Sequence, residues 1–264
     1  MSNSRIESTE SLKIESRDGV TTLTLHRPER RNALDRDLVL NLGAALRVFG
    51  SDSSVRVLIL RGAAGAFCAG ADLSSIENPE DDTIASRIDE FHALIRGIVG
   101  TDKPVVALVD GPAVGFGADL ALACDLRVFS DRAYLEEGFV KIGLMPDGGG
   151  THWLRRFCGP LAFEFLALGR RLSAEDCARF GIANHVVAAQ ELVQAGDAIA
   201  DSLKASAPLA LAKIKRSLRE GEHAELEAAL SREKSGQSAL IQSDDFKEGV
   251  QAFRNKRSPR FQGR

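Results

Sequence analysis

Pro104-Val105-Val106-Ala107-Leu108-Val109-Asp110-Gly111-Pro112-Ala113-Val114-Gly115-Phe116-Gly117-Ala118-Asp119 opens the stretch on which the fold is read. Lys141-Ile142-Gly143-Leu144-Met145-Pro146-Asp147-Gly148-Gly149-Gly150 closes it. The apolar run Val105–Val109, broken at Asp110-Gly111-Pro112, reads as a buried strand followed by a turn. Gly115-x-Gly117 then opens a small-residue helix through Leu120-Ala121-Leu122-Ala123-Cys124-Asp125. Two acids, Asp119 and Asp147, stand beside glycines at strand-to-helix and loop-to-helix junctions, where backbone N–H groups lack partners and point outward. Chemistry is expected in this stretch.

Upstream, two runs flank Asp18-Gly19, Ser11 to Glu15 and the β-branched Val20 to His26, and predict a hairpin. Arg27-Pro28-Glu29-Arg30-Arg31-Asn32 reads as an exposed basic connection, and Asp35 as the cap of a helix carrying Leu38, Leu42, Leu46 and Phe49. Val55 to Leu60 has the near-continuous apolar character of a strand buried on both faces. A loop of small residues follows, Gly62 to Leu73. Polar sequence through Asp81-Asp82 predicts a surface segment before a helix over about residues 84–98. Leu126–Phe129 and Ala133–Leu135 read as short strands. From Thr151 the pattern is helical, with an N-cap at Ser173, a turn into a short strand at residues 181–187, and a helical face on Leu192, Ala195, Ile199 and Leu203. Helices are expected over about 208–218 and 224–255.

With 264 residues, 44% hydrophobic and 27% charged, the chain can bury a sizeable core. A formal net charge of −3 offers no general attraction for nucleic acid or a membrane surface. No apolar run approaches the roughly 18 residues of a membrane span, and Met1–Arg5 reads as a frayed polar tail. The four cysteines (Cys68, Cys124, Cys158, Cys177) form no C-x-x-C pair and no metal-ligand spacing with the five histidines. Buried free thiols in a reducing cytoplasm are expected.

A dinucleotide fingerprint fails because Leu120 occupies the third glycine position, and no P-loop, zinc or serine-hydrolase spacing is present. What remains is a pair of small-residue loops, Cys68-Ala69-Gly70-Ala71-Asp72 and Gly115-Phe116-Gly117-Ala118-Asp119, each following a buried strand. Two such loops can each offer one N–H to a single oxygen, an oxyanion hole; they can also be no more than tight turns. Asp147, reached through Phe139, Val140, Ile142, Leu144 and Met145, is expected to have a pKa raised by desolvation, which suits proton transfer near neutrality. Its alternative role is to cap the helix starting near Thr151.

Arg31-Asn32-Ala33-Leu34, Ala66-Phe67-Cys68-Ala69-Gly70-Ala71-Asp72-Leu73, the opening stretch and Glu248-Gly249-Val250-x-Ala252-Phe253-x-x-Lys256-Arg257 together resemble the crotonase (enoyl-CoA hydratase/isomerase) superfamily. The resemblance runs from about Leu12 to the end. It implies an α/β fold, a spiral of ββα units over residues 11–200 that carries an acyl-CoA site. Residues 201–264 would form a helical region for trimerisation and for covering CoA, in a homotrimer or dimer of trimers. It further implies an acyl-CoA thioester substrate, a thioester enolate, and no metal or redox cofactor. The oxyanion donors would be the N–H groups of Ala71 and Phe116, with the Phe116 ring narrowing the acyl pocket.

Family hydratases use two glutamates. Here Asp119 occupies the first position and Phe139 the second; Glu137, on the same face as Phe139 if the segment is extended, is a possible substitute. Asp147 instead matches the acid of isomerase-type members, and Ile142–Thr151 with the tail Arg257-Ser258-Pro259-Arg260-Phe261-x-Gly263 looks most like the 1,2-epoxyphenylacetyl-CoA isomerases, beside the Δ3,Δ2-enoyl-CoA isomerases. Dehalogenase-type members use an aspartate at this position as a nucleophile. The resemblance therefore implies an isomerase with Asp147 as acid/base and Asp119 assisting. The alternatives are a hydratase working through Asp119 and Glu137, or an acyl-CoA-binding protein with weak catalysis. Arg31, Ala33, Ala69, Asp72, Leu73, Phe139, Phe253 and Lys256 match substrate- and CoA-contacting positions, the last two as a pair one helical turn apart. His152 and Trp153 read as helix packing.

Overall fold

The computed structural model describes residues 6–75 and 83–264. The expected frayed tail, residues 1–5, and the expected surface segment through Asp81-Asp82 lie outside the described residues.

The chain begins as β1 (Leu12–Arg17), β2 (Val20–Leu25) and α1 (Arg36–Ser51), continues through β3 (Val57–Gly62) and α2 (Thr83–Gly100), and reaches β4 (Val105–Val109), β5 (Pro112–Val114) and α3 (Phe116–Ala123). Then come β6 (Leu126–Ser130), β7 (Tyr134–Glu136), α4 (Gly150–Cys158) and α5 (Ala162–Ala167). The last part is β8 (Arg171–Ser173), α6 (Ala174–Arg179), β9 (His185–Val187), α7 (Leu192–Ala205), α8 (Pro208–Ile241) and α9 (Asp244–Arg254). Pairs of strands followed by a helix thus recur as β1-β2-α1, β4-β5-α3 and β6-β7-α4. In the later two units the strands separate: β4 and β6 join a six-stranded sheet ordered β1-β2-β3-β4-β6-β9, and β5 and β7 join a smaller sheet ordered β5-β7-β8. The winding of units between two sheets is the spiral that the resemblance implied.

Only β1-β2 is antiparallel in the large sheet, closed by the Asp18-Gly19 turn with both residues at positive φ. The central strands alternate their faces. Leu58 and Leu60 pack into the main core with α1 and α2, while Val57 and Ile59 pack with Val106, Leu108 and Val128 under Leu192 and Ala200 of α7. Burial on both faces explains the unbroken apolar run over 55–60. Asp35 caps α1 by accepting from the Leu38 N–H at 2.9 Å, and Ser173 with Asp176 forms a capping box on α6. All four cysteines are free and buried, and burial pushes the Cys68 thiol up to about 12. Among the described residues no helix is long and apolar enough to cross a membrane.

Four expectations are corrected. The helices expected over 208–218 and 224–255 are one 34-residue helix, α8, and the break falls later, where Ser243 accepts from the Phe246 N–H and starts α9. Gly221 does not interrupt α8 because Lys215 and Arg219 before it, and Glu233 and Gln237 after it, are anchored on the rest of the molecule. Glu137 and Phe139 do not alternate along an extended segment, since Gly138–Ile142 is a 3-10 turn. Lys256 is not a turn further along the helix of Phe253. Asn255 caps α9, Lys256 takes a left-handed conformation (φ 51°), and the N–H groups of Lys256 and Arg257 close a Schellman motif on the carbonyls of Phe253 and Ala252. The strand β8, inside a region expected to be helical throughout, is held by pairing with β7.

Candidate active site

The loop after β3 is laid between two other segments by isolated parallel bridges, Cys68 with Ala113 and Ala71 with Leu34. The second bridge is made by Leu34 N–H to the Gly70 carbonyl (2.8 Å) and Asp72 N–H to the Leu34 carbonyl (3.0 Å), which leaves the Ala71 N–H outside the ladder. Buried Asn32 fixes the same loop from below. Its side-chain amide donates to the carbonyls of Ala63 and Ala66 at 2.9 and 2.7 Å and accepts from the Arg27 N–H. Gly70 (φ 89°) permits the close approach of the second loop: a Cβ there would stand 2.7 Å from the Val114 carbonyl oxygen and 3.6 Å from the Phe116 nitrogen. Phe116 is the first residue of α3, so its N–H has no intrahelical partner. The two N–H groups expected as an oxyanion pair therefore lie on adjoining backbones.

Ala71, Phe116 and Asp147 line a cavity of about 620 Å³ together with the apolar Phe91, Leu144, Ile241 and Phe246. The Phe116 ring lies against Phe91, with centroids 4.4 Å apart and planes tilted by 36°. Of the expected substrate residues, Arg31, Ala33, Ala69, Asp72, Leu73, Phe139 and Phe253 also line the cavity; Lys256 does not. Arg31 is exposed at the mouth, and Phe139 lies against Gly115. The Asp72 carboxylate is already engaged, by Arg27 at 2.9 Å and by the Ser74 N–H and hydroxyl. Burial pushes it up, but these hydrogen bonds hold its acid below the usual range.

The expected acids are divided by the cavity wall. Asp147 is in the lining, 7% exposed; Oδ2 accepts from the Gln237 amide at 2.9 Å, and Oδ1 is buried without a partner. Burial pushes this acid up to about 7, against the lowering effect of the Gln237 hydrogen bond. Asp119 and Glu137 are wholly buried and lie outside the lining. They meet beneath the glycine triplet: a Cβ at Gly148 would fall 2.6 Å from Asp119 Cβ, and one at Gly150 would fall 3.0 Å from oxygens of both acids. Desolvation first, and mutual repulsion of their charges second, raise Asp119 well above the usual carboxylate range; desolvation and the Glu233 charge do the same to Glu137. All four of their carboxylate oxygens are buried without a hydrogen-bond partner, so burial and proximity both favour the neutral form.

Asp147 is not the cap of α4. Gly149 is the N-cap residue, and Glu233 from α8 takes the free N–H groups of Gly149 (2.7 Å) and Thr151 (2.9 Å) together with the Thr151 hydroxyl. Trp153 is buried in helix packing, as expected, with His152 edge-on at 4.7 Å, and it also donates to the Gly148 carbonyl. Sequence reasoning missed Glu233, Gln237 and His92, the last of which is buried on α2 near the Asp147 backbone. Polar residues at buried positions of a helix, such as Glu233 and Gln237 at i and i+4, are the signal that a facing-loop search would have used.

The family model described as enoyl-CoA hydratase/isomerase matches residues 15–264. A relative from Rhodobacter capsulatus named probable enoyl-CoA hydratase is 37% identical over 96% of this chain and 98% of its own length. The 1,2-epoxyphenylacetyl-CoA isomerase of Escherichia coli is 36% identical over 93% of this chain and 96% of its own. Among solved structures, an enoyl-CoA hydratase from Mycobacterium avium subsp. paratuberculosis superimposes with a TM-score of 0.88 at 34% identity, over 96% of this chain and 98% of that one.

Proposed function

The chain belongs to the enoyl-CoA hydratase/isomerase family, an acyl-CoA enzyme of crotonase fold, and on that premise we propose that it is an enoyl-CoA isomerase with Asp147 as its acid/base. The observation that carries the reading is the placement of the acids. Asp147 alone of the three expected catalytic acids lines the cavity, while Asp119 and Glu137 lie behind the wall with their carboxylate oxygens buried and unpartnered. One carboxylate is enough for an isomerisation. The thioester oxygen accepts from the Ala71 and Phe116 N–H groups, and the Asp147 carboxylate removes a proton from the carbon next to the carbonyl of a 3-enoyl thioester. The electron pair moves into the thioester, where the two N–H groups stabilise the charge on oxygen. The same carboxyl returns the proton to the far end of the allylic system, giving the 2-enoyl thioester. Asp119 supports the loop from beneath. A ring 1,2-epoxide thioester is a second substrate class, favoured by the aromatic walls Phe91 and Phe116.

The hydratase reading needs Asp119 and Glu137 to hold a water in the cavity, and their position behind the lining counts against it. The remaining alternative is acyl-CoA binding without turnover. Arg31 at the mouth suits a CoA phosphate, and Ala33, Ala69 and Leu73 its adenine and pantetheine. Phe253 would cover CoA, Lys256 that of a neighbouring copy in a homotrimer or dimer of trimers. Exposed Ile214 and Leu218, one turn apart on α8, support such assembly.

The test is a panel of 2-enoyl-, 3-enoyl- and dienoyl-CoA thioesters with wild type, Asp147→Asn and Asp119→Asn. Asp147→Asn is expected to lose isomerisation by roughly 10²–10⁴-fold while still binding acyl-CoA. Full activity in that variant sinks the reading, and binding without turnover of any thioester by wild type supports the binding-protein alternative.

A further inference from the structure

Gln237 lies on α8, 1% exposed, and its side-chain amide is used at both ends. Its Oε1 accepts from the Met145 N–H at 3.1 Å, and its Nε2 donates to Asp147 Oδ2 at 2.9 Å. Because a backbone N–H can only donate, Met145 dictates which end of the amide is oxygen, and so a donor faces Asp147. One helical turn earlier, Glu233 holds Gly149 and Thr151. Residues i and i+4 of a single helix therefore grip the loop on both sides of Asp147. Gly236, between them, lets the loop approach, since a Cβ there would overlap the Met145 sulfur.

Resting on the reading of Asp147 as the proton-carrying group, we infer that Gln237 is its positioning residue: it anchors Oδ2 and so fixes the orientation of the carboxylate at the cavity wall. An amide does this without titrating. Burial favours the neutral acid, and the Gln237 N–H opposes it, so Asp147 remains usable as a base near neutral pH. The other titratable groups packed around Asp147 are Glu233 on α8, Asp119 on α3, Glu137 ahead of the 3-10 turn and His92 on α2. All four are retained in the variants that follow.

Gln237→Glu keeps an acceptor for the Met145 N–H and, when ionised, replaces the donor to Asp147 with a negative charge; Gln237→Leu removes donor and acceptor without adding a charge. With 3-hexenoyl-CoA as probe, kcat and KM are measured across the acid and neutral range for both variants, wild type and Asp147→Asn. Both Gln237 variants are expected to move the acidic limb of kcat/KM to higher pH by about one unit or more. At neutral pH kcat is expected to fall by roughly 10–100-fold, with KM within about threefold of wild type. An unmoved limb in both variants, alongside an inactive Asp147→Asn, overturns the inference and leaves Gln237 a packing residue. A raised KM with kcat and limb unchanged also overturns it, making Gln237 a substrate contact. Full activity in Asp147→Asn removes the base itself, and the inference goes with that reading.

Discussion

The burial that raises the Asp147 acid toward neutrality, as the proposed proton transfer requires, also works against folding. Its acid rises from 3.8 to about 7 in the folded protein, so the folded state holds a proton that the unfolded chain has released over that window. The associated stability is fully present below pH about 3.8 and is lost as pH rises through about 7. Asp147→Asn is therefore expected to raise stability at neutral pH by on the order of 2–4 kcal/mol, seen as a higher Tm, with the gain vanishing in acid; a melting series against pH checks this. In catalysis the sign is opposite, because the base must be ionised. For a 3-enoyl thioester, kcat/KM is expected to rise about tenfold per pH unit on the acid side and to level off above about pH 8. Asn32 is the other decisive residue at this scale. It takes a left-handed backbone conformation (φ 58°), and its amide ties the Arg27 turn to the small-residue loop after β3. Asn32→Ala is expected to destabilise by about 2–4 kcal/mol, measurable as a lower urea midpoint. An Arg-Asn-Ala-Leu motif in the sequence marks the place but not this bracing role, which depends on carbonyls more than 30 positions away.

Among elements, the loop from Met145 to Gly150 is shaped by what lies under and over it. The triplet Gly148-Gly149-Gly150 is needed because Asp119, Glu137 and Trp153 pack where side chains would stand, a close-approach requirement and not a matter of flexibility. Gly148→Ala would press on Asp119 and on the Phe116 ring at 2.6–2.7 Å. It is expected to cost about 1–3 kcal/mol and to lower kcat by roughly 10²-fold, through displacement of Asp147 with the chemistry of every catalytic group intact. Parallel measurement of unfolding and of turnover separates the two effects. From the sequence the triplet is visible beside an acid; the reason for three glycines is not, since Asp119 and Trp153 reach it only by folding.

Across the whole molecule, α8 fastens the C-terminal region to the spiral. Lys215, 8% exposed, donates to the carbonyls of Ile98 and Lys103 and to Asp125 at 2.7 Å, so one ammonium joins the end of α2, the entry to β4 and the turn after α3. Lys215→Met is expected to lower stability by about 3 kcal/mol, seen as a urea midpoint that falls with an unchanged slope. The sequence by itself determined the strands buried on two faces, the hairpin at Asp18-Gly19, the caps at Asp35 and Ser173, and the two small-residue loops. Each of these is a local pattern of apolar period, turn chemistry or capping, and its physics is complete within a few residues. The resemblance carried by the sequence singled out Asp119, Asp147 and the N–H groups of Ala71 and Phe116. Only the tertiary structure decided which acid meets the cavity. Asp119 and Asp147 each sit beside glycines in the sequence, but one is sealed behind the wall with Glu137 and the other is held at the cavity by Gln237. Exposure and hydrogen-bond partners are properties of packed surfaces between distant segments, and no local pattern encodes them.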